Sequence, residues 1–135
     1  MHLLDTNTCI YAIRQRPLGV LQRLNALEPE SVALSVLVAM ELELGAMRAQ
    51  ARAYAPAVRR WLAEFRVLPL DDDAREHFAR TKFDLMARGQ MIGPMDLLIA
   101  AHALALDATL VTNNAREFRR VKGLKLENWV SEAGS

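Results

Sequence analysis

Residues 93–112 read GPMDLLIAAHALALDATLVT, and this stretch contains the pattern that decides the fold. Pro94 opens a helix that is apolar almost all round, and the apolar strand candidate TLVT follows it within a few residues. A helix that lacks a polar face is expected to be buried, here between a sheet and neighbouring helices. The stretch therefore predicts an α/β structure in which helices cover a sheet.

Short apolar runs alternate with helical patterns along the rest of the chain. The other strand candidates are HLL, SVALS, VLPL and KLEN, at residues 2–4, 31–35, 67–70 and 125–128. Helical spacing fills the gaps, for example over residues 36–50 and 54–65. Strands separated by helices predict a parallel sheet that is covered on both faces. The length suits one domain, residues 1–135, in which WVSEAGS forms a C-terminal tail.

Charge is balanced over the whole chain and uneven along it. Lys and Arg number 17 and Asp and Glu 16, which leaves a net charge of +1 and indicates no class of partner. Two segments are rich in basic residues, and they contain Arg48, Arg52, Arg59 and Arg60, and Arg116, Arg119, Arg120, Lys122 and Lys125. A basic helical face is more often a solvated surface than a nucleic-acid groove, so these segments alone identify no function.

Several classes of protein are disfavoured by the sequence. Cys9 is the single cysteine, so no internal disulfide is expected, and the three histidines do not have zinc-ligand spacing. No glycine-rich phosphate loop follows a strand, which disfavours a nucleotide-binding protein. The longest apolar segment, LLIAAHALAL, is too short to span a bilayer. We therefore expect a cytoplasmic protein that does not contact membranes.

Acidic residues stand where a parallel sheet binds ligands. Asp5 follows the strand HLL directly and residues 112–117 follow TLVT, so both belong to the carboxyl edge of the sheet. Asp96 lies in the first turn of the apolar helix. Glu41 and Glu43 lie near the start of another apolar helix, where a buried acid needs a partner. Periodicity does not choose between these two glutamates.

Each acid also has a structural explanation, and for any one acid alone that explanation is the better one. Asp5 suits the N-cap of the helix that follows it. Asp96 is favoured by the dipole of its own helix. Asn114 and Glu117 form a capping-box pattern, and Glu41 suits a salt bridge with a nearby base. These explanations predict acids that are separately satisfied.

Considered together, the acids favour a metal site. Three or four carboxylates at one end of a sheet repel one another unless a cation lies among them. Carboxylate oxygens select hard divalent ions, so Mg²⁺ is the expected cofactor and Mn²⁺ the alternative. Thr6 and Thr112 would add hydroxyl contacts around the ligands.

Four segments, in this order and spacing, resemble the PIN-domain ribonucleases, and specifically the VapC toxins of bacterial toxin-antitoxin pairs. The segments are LLDTNTCIYAIRQRP, SVLVAMELELGA, IGPMDLLIAAHALALDATLVTNNAREF and RVKGLKLENWV. The likeness runs from Leu3 to Val130, which is nearly the whole chain. An aspartate after a strand would be weak support, whereas four segments in register are strong support.

The resemblance implies a fold and a set of acids. The implied fold is a three-layer α/β/α sandwich with a central, mostly parallel sheet. The first three acids of the family site match Asp5, Glu41 and Asp96. The family pattern favours Glu41 over Glu43 because a leucine and then a glycine follow Glu41 at the family's spacing. These three acids are the implied metal ligands.

The fourth acid departs from the family pattern. That acid is usually an aspartate before an aromatic residue, whereas this chain has Glu117, with Asn113 and Asn114 as polar neighbours. Because glutamate has a longer side chain, Glu117 is expected to reach the metal through water. Met95 stands where a small polar residue often precedes the third acid. Both departures leave the three core acids intact, so activity is expected.

The implied activity is hydrolysis of RNA phosphodiesters by a metal-activated water, which leaves a 5′-phosphate and a 3′-hydroxyl. Thr6 is expected to brace the site and Asn7 to fix the turn between strand and helix. Single-stranded RNA would enter an acidic cleft rimmed by basic side chains. The rim residues would be Arg14, Arg16, Arg116, Arg119, Arg120 and Lys122. The LDTN and TNNAREF motifs are similar to those of VapC enzymes that cut initiator tRNA in its anticodon loop.

The resemblance also implies partners. A toxic nuclease needs a VapB-type antitoxin whose tail fills the cleft, and promoter DNA would be bound only through that antitoxin. A homodimer is expected, and an apolar stripe offers a surface for it. The stripe contains Leu37, Met40, Leu44, Tyr54 and Trp61. The same stripe is also what ordinary core packing looks like.

Two alternatives keep the fold and change the function. The chain would be a nucleic-acid-binding regulator whose catalysis is incidental, in which case Asp5→Asn leaves the biological effect intact. Otherwise it would be a PIN nuclease that cuts messenger RNA, ribosomal RNA or a DNA flap.

Overall fold

The computed structural model describes residues 1–130, apart from the side chain of Ala49. Within these residues, strands and helices alternate as the sequence predicts. The strands are β1 (His2–Leu4), β2 (Val32–Ser35), β3 (Arg66–Leu68), β4 (Thr109–Val111) and β5 (Lys125–Glu127). The helices are α1 (Thr6–Arg14), α2 (Leu18–Asn25), α3 (Val36–Met47), α4 (Ala55–Glu64), α5 (Asp73–Ala87), α6 (Pro94–Ala105) and α7 (Ala115–Phe118).

The five described strands form one sheet in the order β3-β2-β1-β4-β5. Every neighbouring pair is parallel, and β1 in the centre pairs with both β2 and β4. Helices flank this sheet, so the predicted α/β fold with a parallel sheet is confirmed. The strand order reverses at β1, and in such sheets ligands bind outside the carboxyl ends of the strands at the reversal.

The apolar helix α6 is buried as predicted. Six of the twelve residues of α6 are buried, from Leu97 to Ala103, and they pack in the same core as β1 and β4. Pro94 stands at the first position of this helix and Gly93 caps it. This burial holds α6 against the sheet from Leu97 onward, whereas its first turn, Pro94 to Asp96, is less buried.

The third helix is shorter than the sequence indicates. Residues 36–50 predict one helix, but α3 ends at Met47 and a 3₁₀ helix, Ala49–Tyr54, follows. Arg48 between them has an extended backbone, with φ −70° and ψ 143°, which breaks the helical hydrogen-bond pattern. The hinge therefore begins earlier than its sequence signal.

The C-terminal prediction is wrong at Trp129. Its side chain is 2% exposed, and its Nε1 donates a hydrogen bond to Glu127 at 2.9 Å. Arg23 of α2 also lies over the indole, with its Cζ 5.8 Å from the ring centroid. Trp129 thus packs in the core and is not part of a tail, whereas residues 131–135 lie outside the described residues.

The apolar stripe considered for a dimer splits into two groups. Leu37 and Trp61 are buried in the core, so they are not available to a partner. Met40, Leu44 and Tyr54 are exposed by 55%, 56% and 40%. Core packing is therefore confirmed for Leu37 and Trp61, whereas the dimer surface stays a prediction that only the three exposed residues could serve. No helix within residues 1–130 combines the length and the apolar character that a bilayer crossing requires.

Candidate active site

Asp5 follows β1 directly and is almost fully buried. Its Oδ1 accepts a hydrogen bond from the backbone N–H of Thr8 at 2.8 Å, which caps α1 as the capping preference predicts. Its own backbone N–H donates to the carbonyl of Val111 at 3.0 Å, so Asp5 is fixed to the end of β4 as well. A carboxylate accepts several hydrogen bonds, so capping does not exclude a role as a metal ligand.

The charge of Asp5 is unfavourable where it stands. Burial raises the pKa of its carboxyl, and the negative charge of Glu41 acts in the same direction. Hydrogen bonds from Thr112 and Thr8 act against this increase without cancelling it. The ionised form of Asp5 is therefore held by neutral donors in a setting that disfavours it.

The structure distinguishes Glu41 from Glu43. The hydroxyl of Thr6, at the start of α1, donates a hydrogen bond to Glu41 Oε1. Glu41 is half-buried beside Asp5, whereas Glu43 is exposed on another face of α3, in a groove that Arg59 also lines. Glu41 thus lies with the acid of β1, and Thr6 takes the bracing position that the sequence predicts.

Asp96 lies in the first turn of α6 and faces the other acids. The pKa of Asp96 is raised to about 6. Burial is the largest cause, and the negative charges of Glu117, Glu41 and Asp5 add to it. Charge repulsion of this kind requires that the four carboxylates be near one another. The structure therefore brings together the four acids that the sequence singled out.

Glu117 is held by two neutral donors. Its Oε2 accepts a hydrogen bond from Asn114 Nδ2 at 2.8 Å, and its Oε1 accepts one from the Gly93 backbone N–H at 2.9 Å. These two hydrogen bonds lower the pKa of Glu117. The interaction between Asp96 and Glu117 raises the pKa of the first and lowers that of the second, so Asp96 takes up a proton more readily than Glu117 as the pH falls.

The capping box at the start of α7 is absent from the described structure. The Asn114 side chain makes no capping hydrogen bond and donates to Glu117 instead. Its backbone N–H donates to Thr112 Oγ1 at 2.9 Å. Asn114 and Thr112 therefore serve the acids, because Thr112 is also the residue whose side chain bonds to Asp5.

Asn113 and Asn7 are the other polar residues predicted at the site, and neither bonds to an acid through its side chain within residues 1–130. Asn113 Nδ2 donates a hydrogen bond to the Tyr11 hydroxyl at 3.1 Å, which links the β4 loop to α1. The side chain of Asn7 is exposed and makes no hydrogen bond within residues 1–130, so the turn is fixed by Asp5 and not by Asn7. Sequence reasoning missed Tyr11 and Gly93, because nothing in their type or spacing distinguishes them from packing or capping residues.

The four acids have no basic partner at ion-pair distance. Within residues 1–130, the acids in salt bridges are others, namely Asp72, Glu76, Asp84, Asp107 and Glu127. Threonine, asparagine and backbone donors hold the site acids, and such donors leave the negative charge in place. This arrangement is typical of a cation site and not of structural ion pairs.

The residues fit a divalent cation, although they do not form a closed cage. No three acidic, histidine or cysteine side chains among residues 1–130 stand as a ready metal-binding group. The pKa of Asp96 is raised by burial and then by the charges of Glu117, Glu41 and Asp5, so these carboxylates are near enough to interact electrostatically. Oxygen ligands suit Mg²⁺ or Mn²⁺, and such an ion would relieve the repulsion. Asp5, Glu41 and Asp96 would close around it.

The predicted basic rim contains two kinds of residue. Arg16, Arg116 and Arg119 are exposed, and within the described chain they make no salt bridge or side-chain hydrogen bond. Arg120 Nη1 donates to the Met91 carbonyl at 2.9 Å, and Lys122 pairs with Asp84 at 3.4 Å. The last two cations are therefore already engaged by the protein.

An apolar groove leads away from Glu41 between α1, α3 and α4. Its lining includes Ile10, Ile13, Leu42, Tyr54 and Val58. Arg14 also lines it and lies over the Tyr54 ring, with Cζ 4.9 Å from the ring centroid. Arg14 thus belongs to a groove that joins the acids to an apolar surface.

Comparison with known proteins gives a consistent family. Residues 2–124 match the PIN domain. The chain is 35% identical to the tRNA(fMet)-specific endonuclease VapC of Salmonella typhimurium, over 94% of this chain and 96% of that protein. It is 38% identical to the protein of the same description from Shigella flexneri, with the same coverage. The crystal structure of VapBC2 from Rickettsia felis, bound to a DNA fragment from its promoter, is similar, with a TM-score of 0.85 and 33% identity over 95% of this chain and 98% of that one.

Proposed function

This chain belongs to the VapC group of the PIN-domain family, and on that premise we propose that it is a metal-dependent endoribonuclease and the toxin of a toxin-antitoxin pair. One observation carries the proposal. Four carboxylates without basic partners lie together at the carboxyl edge of the sheet, where the strand order reverses. This is the position at which open α/β sheets bind ligands.

We assign Asp5, Glu41 and Asp96 to the cation, for which Mg²⁺ is proposed and Mn²⁺ is the alternative. When bound, the ion supplies neutralisation of the scissile phosphate and acidification of a water. The residues around the acids keep them in position. The Thr6 hydroxyl orients Glu41, and the Thr112 side chain orients Asp5.

Glu117 has a different part in the proposed reaction. Its two hydrogen bonds lower its pKa, so it remains ionised at neutral pH and would accept a hydrogen bond from a metal-bound water. Because glutamate has a longer side chain than the aspartate usual at this position in the family, we place Glu117 at the metal through water. Attack of water in line with the leaving 3′-oxygen gives a 5′-phosphate and a 3′-hydroxyl.

The proposed substrate is RNA, and specifically initiator tRNA in its anticodon loop. The relatives from Salmonella typhimurium and Shigella flexneri carry the name tRNA(fMet)-specific endonuclease, which supports this choice. A splayed single-stranded loop suits a shallow acidic cleft, and exposed arginines beside it would hold the adjoining phosphates. Arg16, Arg116 and Arg119 are the exposed candidates for these contacts.

The proposed partner is a VapB-type antitoxin. The similar structures from Rickettsia felis and Salmonella typhimurium are VapBC complexes bound to DNA. The apolar groove beside Glu41 would receive a segment of the antitoxin, with apolar side chains against Ile10 and Val58. Promoter DNA would be bound through the antitoxin, and the complex would act in the cytoplasm.

A homodimer is proposed on the exposed face of α3 and α4. Met40, Leu44 and Met47 are exposed by 55%, 56% and 73%, which is unusual for large apolar side chains on a soluble domain. Glu43 and Arg59 line the groove at this face. Opposite charges on one patch suit a two-fold interface, in which Glu43 of each protomer would meet Arg59 of the other.

The test of the proposed function uses one charge-removing variant at the site and one outside it. Asp5→Asn should abolish Mg²⁺-dependent RNA cleavage and growth arrest, because it removes a ligand charge and keeps the shape. Glu28→Gln removes an exposed charge outside the site and outside the proposed interface, and as the control it should retain both. Mapping of 5′-phosphate RNA ends after brief expression reports the reaction and the substrate together. Unchanged cleavage by Asp5→Asn would falsify the assignment, and growth arrest without cleavage would favour a regulatory role.

A further inference from the structure

Two side-chain hydrogen bonds hold residues 91–93, the segment that leads into α6. Glu117 Oε1 accepts a hydrogen bond from the Gly93 N–H, and Arg120 Nη1 donates one to the Met91 carbonyl, each at 2.9 Å. Ile92 lies between these points, and its side chain is 6% exposed in the core. Met91 and Gly93 are therefore held by side chains from residues 117–120, and Ile92 between them is held by packing.

The two side chains that make these hydrogen bonds, Glu117 and Arg120, lie in one turn of the chain. The backbone N–H of Arg120 donates to the Glu117 carbonyl at 3.2 Å, which closes that turn and places the two side chains on one face. The Arg120 carbonyl accepts a hydrogen bond from Arg88, and Arg88 pairs with Asp84 of α5 at 2.6 Å. Arg120 thus stands between the end of α5 and the acidic site.

We propose that Arg120 is a positioning residue for the acidic site and not a contact of RNA. By holding the Met91 carbonyl, it fixes the Gly93 N–H that binds Glu117 and the first turn of the helix that carries Asp96. The effect on catalysis rests on the proposed nuclease function, whereas the chain of contacts does not.

The segment depends on such contacts because of its composition. Gly93 has no side chain with which to pack, so its place is set by its backbone hydrogen bonds: the N–H bond to Glu117 and the carbonyl bond from Leu97 at 2.9 Å. Without Arg120, the Met91 carbonyl loses a charged donor and the segment one of its restraints. Displacements of about 1 Å are enough to reduce catalysis strongly, and Asp96 would move with the helix start.

Arg119 offers a matched control. It is adjacent in sequence, carries the same charge and is exposed, and within residues 1–130 its side chain has no hydrogen bond or ion pair. A residue that binds RNA phosphates has these properties, whereas Arg120 is half-buried. Comparison of the two arginines therefore separates positioning from binding.

The experiment compares Arg120→Ala with Arg119→Ala by two readouts. Amide hydrogen exchange, measured by NMR on the metal-free protein, should accelerate at Gly93 by about tenfold or more in Arg120→Ala, the scale of one charge-assisted hydrogen bond. It should not change in Arg119→Ala. In RNA cleavage, Arg120→Ala should lower kcat with an unchanged KM. Arg119→Ala should raise KM and reduce the salt dependence of binding by about one phosphate contact.

Arg120→Lys serves if the alanine variant does not fold, because it keeps the charge and one donor. We expect it to restore part of the Gly93 protection and part of kcat together. The proposal is overturned if the Arg120 variants leave Gly93 exchange unchanged, or if they raise KM and reduce the salt dependence as Arg119→Ala does. If the wild-type chain cleaves no RNA, the proposed function fails, and the exchange measurement still decides whether Arg120 holds the segment.

Discussion

Replacement of Asp96 by Asn should stabilise the metal-free protein at neutral pH. The variant removes one of four neighbouring charges, and its side-chain amide can still donate a hydrogen bond to Glu117. The pKa of Asp96 is raised from 3.8 to about 6. The folded protein therefore disfavours the ionised carboxylate by about 2 pKa units, or up to about 3 kcal/mol. Because Asp96 is partly exposed, we expect a gain of about 1–2 kcal/mol in the free energy of unfolding.

The gain should depend on pH in a defined direction. The folded pKa lies above the unfolded one, so the wild-type protein loses stability as pH rises from about 4 to about 6 and bears the full cost above that. The advantage of Asp96→Asn should therefore be complete at pH 7.5 and absent near pH 4. Urea unfolding with EDTA at both values measures it, and Glu28→Gln controls for the loss of an exposed charge.

Added Mg²⁺ should reverse the order of stability. A cation bound by the folded state stabilises it by about 2.7 kcal/mol at a concentration one hundred times its Kd, and Asp96→Asn lacks one ligand for it. The wild-type protein should then be the more stable one. If Asp96→Asn is no more stable than wild type at pH 7.5 with EDTA, the acids do not repel one another and the electrostatic basis of the site is wrong.

Two further predictions concern residues around the site. Thr6→Val removes the hydroxyl that donates to Glu41 and should weaken Mg²⁺ or Mn²⁺ binding by about 10- to 100-fold without unfolding the chain, as measured by calorimetric titration. His102 is buried, its Nδ1 lies 2.8 Å from Ser35 Oγ, and burial lowers its pKa. It takes up a proton more readily in the unfolded chain, so wild type should lose this part of its stability as pH falls below about 6.5. His102→Asn should reduce that slope in thermal unfolding with EDTA, and an unchanged slope would contradict the reasoning.

The order of strands and helices was predictable because each depends on local pattern. Apolar runs of strand length and the all-apolar α6 require burial whatever the rest of the chain does. Trp129 was not predictable in this way. Its burial depends on Arg23 from α2 and Glu127 from β5, which meet it only in the folded sheet. A short terminal segment has no periodicity from which such packing is read.

The residues of the candidate site were predictable from the sequence, whereas the hydrogen bonds that hold them were not. Asp5 and Asp96 are marked by their places after a strand and at a helix start, which follow from the topology of parallel sheets. Periodicity could not separate Glu41 from Glu43, because α3 is apolar on most faces, and only the family pattern favoured Glu41. The Thr6 hydroxyl separates them, and that contact joins two helices far apart in sequence. Arg120 and Arg119 are likewise indistinguishable until Met91 is placed beside one of them.

The hydrogen-bond partners of the acids show why capping or ion pairing, taken acid by acid, does not explain the site. A protein that needed only stability would pair buried carboxylates with Arg or Lys, since an ion pair offsets part of the desolvation cost. Here Asp5 and Glu41 receive hydrogen bonds from neutral hydroxyls and amides, and the pKa of Asp96 remains raised by burial and by the charges around it. Neutral donors fix the direction of a carboxylate and leave its charge available. If these acids bind a cation as proposed, the cost to the metal-free fold is tied to that binding, and a variant that relieves the cost should weaken the binding.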